Sequence, residues 1–81
     1  MRVKVRLFAS LREAVGRDHL DLDLPDGATP EDAWQGLVAK CPALAARRRS
    51  LSAAVNRRYL AFDAPLSDGD EVVFIPPVSG G

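Results

Sequence analysis

With 81 residues, the chain has room for one small domain with a modest core. Its hydrophobic content of 47% and charged content of 27% are those of an ordinary soluble globular protein. Eleven Lys plus Arg against eleven Asp plus Glu cancel, which argues against a nucleic-acid or membrane-surface binder, since both need a basic field.

Met1 leads directly into an alternating stretch, so no signal peptide is expected. No apolar run approaches the roughly 20 residues of a membrane span. From Arg2 to Phe8 the chain alternates, with Arg2, Lys4 and Arg6 on one side and Val3, Val5 and Leu7 on the other. Period two predicts a strand with one buried face. Phe8 breaks the rule by falling on the polar face. Either a following loop covers its ring or it faces a partner.

Ser10 to Gly16 reads as a short helix, with Ser10 as N-cap and Gly16 as stop. His19 to Leu24 alternates through Leu20, Leu22 and Leu24 and predicts a second strand, paired antiparallel with the first. His19 lies at its start beside Asp18, a surface setting rather than that of a base or ligand. After the turn Pro25-Asp26-Gly27, Thr29-Pro30-Glu31-Asp32 announces the main helix. Thr29 is the N-cap, Pro30 takes the first helical position, and Asp32 closes a capping box. Trp34, Leu37, Val38 and Cys41 follow at helical spacing as one apolar stripe, and Pro42 ends the helix.

Cys41 thus reads as core, and a reactive thiol is the minor alternative. A single cysteine excludes an internal disulfide and fits a reducing cytoplasm. One cysteine and one histidine leave no expected metal site. Arg47-Arg48-Arg49 reads as a solvated face, with phosphate binding as the alternative. Leu51 to Asn56 predicts a third strand and Arg57 to Leu60 a short fourth, with Asn56 at the turn.

Ser67-Asp68-Gly69-Asp70 turns the chain into Glu71 to Ile75, a β-branched and aromatic run that reads as the last strand. If Val72 and Phe74 point inward, Val73 and Ile75 point outward on the side of Phe8. Pro76 and Pro77 stop the ladder and begin a stiff exit. Val78, Ser79, Gly80 and Gly81 follow. Lacking Cβ atoms, Gly80 and Gly81 can thread a slot too narrow for other residues, although small residues at a chain end also suit simple disorder. The expected division is a domain over residues 1–76 and a flexible tail over 77–81. The expected architecture is α+β, with a mixed sheet of about five strands, one main helix on one face, and the two termini as neighbouring central strands.

Four stretches carry a resemblance: Leu7-Phe8-Ala9 with Arg12-Glu13, Ala53-Ala54-Val55-Asn56, Leu66-Ser67-Asp68-Gly69-Asp70-Glu71-Val72, and Phe74-Ile75-Pro76-Pro77-Val78-Ser79-Gly80-Gly81. Together they resemble the molybdopterin synthase small subunits, the MoaD branch of the ubiquitin-like MoaD/ThiS sulfur carriers. The likeness covers the whole chain, and the ending is its most specific part.

The resemblance implies a ubiquitin-like β-grasp fold and a cytoplasmic sulfur carrier that is not catalytic alone. It implies an E1-like (MoeB-like) enzyme that uses ATP to adenylate Gly81, and a sulfur donor such as a cysteine desulfurase that leaves a thiocarboxylate there. A MoaE-like large subunit would then thread Gly80, Ser79 and Val78 and pass the sulfur to cyclic pyranopterin monophosphate. No cofactor is expected to stay bound. The interface implied comprises Phe8, Tyr59, Ile75, Pro76 and Pro77. A thiamine-type carrier and a ubiquitin-like protein modifier are the alternatives.

Overall fold

Alternation in the first strand does what period two requires. In the computed structural model, which describes residues 1–77, strand β1 spans Arg2–Arg6, with Val3 and Val5 fully buried and the three basic residues outside. β2, His19–Asp23, pairs with it antiparallel so that Val5 faces Leu20 and Val3 faces Leu22. Both strands therefore present one apolar side to the same core.

β1 stops two residues short of the expected Phe8. Ala9 takes a positive φ of 49°, which turns the chain into helix α1, Ala9–Val15. This corrects the expected cap. Phe8, not Ser10, is the N-cap, and no side chain caps the helix. Instead the Phe8 carbonyl accepts from the Leu11 and Arg12 amides at 3.1 and 3.3 Å. At the other end Gly16 adopts φ 85° and donates to the Arg12 carbonyl at 2.8 Å, a stop that a Cβ would strain.

Helix α2, Pro30–Lys40, begins as its sequence dictates. The Thr29 amide donates to Asp32 Oδ2 at 2.9 Å and the Asp32 amide donates to Thr29 Oγ1 at 3.3 Å. Such a reciprocal cap contributes about 1 kcal/mol. The buried stripe is Pro30, Ala33, Trp34 and Leu37, whereas Val38 and Cys41 are only half-buried. Both still pack against the core, so the expected stripe holds at the helix's end and extends back to Ala33 and Pro30. At Gly36 α2 lies close to β2, where a Cβ would sit 3.3 Å from Leu22. A 3-10 helix, Pro42–Ser50, follows directly and buries Leu44.

β3, Ser52–Val55, and β4, Arg58–Leu60, form a hairpin. Its two turn residues, Asn56 and Arg57, both have positive φ, 51° and 71°, the twist a two-residue hairpin favours. β5, Glu71–Ile75, pairs parallel with β1 and antiparallel with β3, giving the order β2-β1-β5-β3-β4. The termini therefore supply adjacent inner strands, as expected.

Phe74 of β5 is fully buried, edge-on to Trp34 at 5.1 Å and stacked with Phe62 at 6.1 Å. Truncating a buried aromatic of this kind costs about 3–5 kcal/mol, a large part of the total stability of a small domain. Arg48 covers Phe62, its guanidinium 3.5 Å from the ring centre, and donates to Glu31 Oε1 at 2.7 Å. One residue of the basic run is therefore a packing element.

Three carboxylates are held below the usual carboxylate range. The hydrogen bond to His19 lowers Asp18, that to Arg2 lowers Asp23, and those to Gln35 and Arg48 lower Glu31. The unfolded chain takes up these protons at higher pH than the folded one. Stability from these groups is thus present above the ordinary carboxylate pKa and is lost as pH falls through the depressed native values. Urea midpoints should be lower at about pH 3 than at about pH 6. Glu31→Gln should narrow that gap by less than about 1 kcal/mol, because the carboxylate is partly solvated. An unchanged gap in this variant would refute the assignment.

Candidate functional site

The helices cover one face of the sheet and leave the other open. Register fixes which side chains share that open face. Arg6 lies beside Val73, Val73 beside Ala54, and Ala54 beside Tyr59, so these four make one row across four strands. In the next row of β5 and β3, Ile75 faces Ser52. Tyr59 is 76% exposed, and Val73 and Ile75 are half-buried.

The face has two electrical halves. On the β1 and β2 half, Arg2 Nε pairs with Asp23 at 2.9 Å. Arg6 Nε pairs with Glu71 at 3.0 Å across to β5. Lys4 stands between Asp21 and Glu71 in register, so charge alternates across this half. On the β5, β3 and β4 half the side chains are apolar or small. A partner meeting this surface finds a greasy strip bordered by neutralised charge.

β5 then leads off the sheet. Pro76 is half-buried, Pro77 is exposed, and both line a groove with Ala9 and Ser10 at the start of α1. Phe8 stands at the same end, 50% exposed, so no loop covers its ring. The structure thus gathers Phe8, Ile75, Pro76 and Pro77 at the end where the chain leaves the sheet, while Tyr59 lies on the outer strand of the same face. The remaining predicted site residues, Val78, Ser79, Gly80 and Gly81, lie outside the described residues.

The start of β5 is clamped. Asn56 Nδ2 donates to Asp70 Oδ1 at 2.9 Å, and the Glu71 amide donates to Asn56 Oδ1 at 3.0 Å. Asp70 Oδ2 also accepts from the Ser67 amide at 2.7 Å, and the Gly69 amide donates to the Arg2 carbonyl at 2.8 Å. The sequence marked Asn56 only as a turn residue. Its side chain in fact ties the hairpin tip to the turn that aims β5. The adjacent Asn and Arg at a hairpin turn, facing an Asp-Gly-Asp turn, are the only signal the sequence offers for that tie.

The polar groups singled out elsewhere do not converge here. His19 Nδ1 pairs with Asp18 at 2.8 Å on the exposed start of β2. The Cys41 thiol is half-buried on the helical side and donates to the Ala14 carbonyl at 3.6 Å. Chemically, the described part of the site offers apolar contact and a directed exit.

The profile of the ThiS family matches residues 5–81. The molybdopterin synthase sulfur carrier subunit of Escherichia coli (strain K12) is 46% identical over 81 residues, spanning 98% of this chain and 99% of that protein. The crystal structure of SAMP1 from Haloferax volcanii superposes with a TM-score of 0.90 at 31% identity, covering the whole of both chains. A ubiquitin of Caldiarchaeum subterraneum shares the fold at TM-score 0.67 and 21% identity, over 100% of this chain and 98% of that one. A ubiquitin-like β-grasp domain, matched almost end to end by the family profile and by a near-half-identical carrier subunit, identifies the chain as a member of the ThiS family.

Proposed function

We propose that this chain is the sulfur-carrier subunit of a molybdopterin synthase. The observation that carries this reading is the match to the Escherichia coli carrier subunit along essentially the whole length of both proteins. The geometry supports it, because a central, doubly paired strand ends in Pro76-Pro77 beside an exposed phenylalanine. A carrier needs a rigid base, a partner-facing apolar patch and a slender end.

A free carboxylate is unreactive toward sulfur, so Gly81 must first gain a leaving group. An E1-like enzyme joins the Gly81 carboxylate to the α-phosphate of ATP and releases pyrophosphate. A persulfide sulfur donor then attacks the acyl carbon and AMP departs; a thiol cleaves the resulting acyl disulfide, forming a new disulfide and leaving a thiocarboxylate. Sulfur is softer and more nucleophilic than oxygen, so this end attacks carbon of cyclic pyranopterin monophosphate as a carbon–oxygen bond breaks. Water then hydrolyses the thioester so formed, leaving the sulfur on the product and the Gly81 carboxylate free. A dithiolene holds two sulfurs, so two loaded carriers serve each product. The carrier supplies position, and the partners supply the oxyanion donors.

A second reading is protein modification, in which Gly81 is joined to target lysines. It is favoured by the likeness to SAMP1, a small archaeal modifier protein. Mass spectrometry separates the two. Replacement of one terminal oxygen by sulfur in the native chain is expected for a carrier. Gly81 isopeptides in cell extract, without any thiocarboxylate, would assign the chain to the modifiers instead.

Gly81→Val should abolish sulfur transfer while leaving the thermal unfolding midpoint unchanged, since the substitution lies beyond the sheet. Normal transfer by this variant would refute threading of the tip. Phe8→Asp should shift stability by no more than about 0.5 kcal/mol, as for other exposed positions. The same change should weaken binding to the large subunit, measured by co-elution in size-exclusion chromatography. Full affinity in this variant would remove Phe8 from the interface.

A further inference from the structure

A second surface lies at the same exit, around the corner from the open sheet face. The 3-10 helix, the start of α1 and the proline spacer enclose a groove of about 500 Å³. Its lining includes buried Leu51, the two prolines Pro76 and Pro77, and the serines Ser10 and Ser50. Arg47 stands exposed on its rim.

Arg47 and its neighbour Arg48 are used differently. The Arg48 guanidinium is occupied by Glu31 and the Phe62 ring. None of the five ion pairs among the described residues includes Arg47. Among the described residues no carboxylate pairs with this cation, which borders a partly apolar groove. Such a rim suits a carboxylate, because a partner that displaces water from the apolar walls strengthens the ion pair.

Position suggests whose carboxylate. Phe8 runs straight into Ala9 and Ser10, and Ile75 runs straight into Pro76 and Pro77. The groove is therefore continuous with the proposed docking face. A protein that touches Phe8 and Ile75 therefore reaches the edge of this groove at Ala9 and Pro76. We infer that the groove seats an acidic loop of the molybdopterin synthase large subunit, with Arg47 pairing with a carboxylate of that loop. The inference rests on the proposed function and extends its interface beyond the sheet.

Calorimetric titration of the purified large subunit with the whole chain tests this at low and high salt. Arg47→Glu should weaken binding about tenfold or more at low salt, with the deficit shrinking as salt screens the pair. Arg47→Lys should keep part of the affinity. Arg49→Glu, which alters an exposed arginine outside the groove, should bind within about twofold of the parent chain. Circular dichroism melting of all three variants should match the parent.

Parent-like binding by Arg47→Glu would overturn the inference, and so would a deficit independent of salt. Concentration-dependent dimers of the parent chain that Arg47→Glu abolishes would give the groove to a second copy and overturn it too. A parent chain that does not bind the large subunit at all overturns the proposed function, and this inference with it. A parent that binds alongside an unaffected Arg47→Glu leaves the proposed function standing and removes only the groove.

Discussion

The burial of Phe74 against Trp34 and Phe62 is the contact on which the rest of the molecule depends. It pins the centre of β5, the strand that sits between β1 and β3 and runs toward the tail. Phe74 faces inward, so its neighbours Val73 and Ile75 must face outward. One aromatic contact thereby decides which side of the sheet is greasy and open. A one-residue slip of β5 would bury the open apolar strip and expose the core.

The supports of that contact come from every part of the chain. Trp34 arrives on a helix started by the Thr29–Asp32 cap, and Phe62 is held in place by Arg48, which Glu31 of the same helix anchors. β5 itself is aligned by hydrogen bonds from Asn56 and by the turn at Gly69, which reaches back to Arg2. A domain this small cannot rely on a deep core, so the polar ties at its rim set direction where bulk burial cannot.

Much of this was legible from residue pattern. The limits of β5 and the reciprocal cap of α2 followed from β-branched alternation and from Thr-Pro-Glu-Asp, because both signals are local. That the two termini supply neighbouring central strands followed from chain order and handedness; that they run parallel is what the structure adds. What failed was what depends on tertiary approach. On α2 the close approach to Leu22 at Gly36 was not read, because nothing within the helix states that distance. Ser10 looks like a cap, yet Ala9 turns the chain one residue earlier. The basic run looked uniform, but Arg48 alone meets a ring that lies fourteen positions further along the chain. Phe8 was legible as an anomaly, and the fold leaves its ring half-exposed at the sheet's end, which the sequence could not show.

The central place of β5 also has a mechanical side. When another protein hauls on the end of this chain, the load runs along β5 and pulls it lengthwise past β1 and β3. The rungs of both ladders then share the strain together, whereas an edge strand peeled sideways would give way one rung at a time.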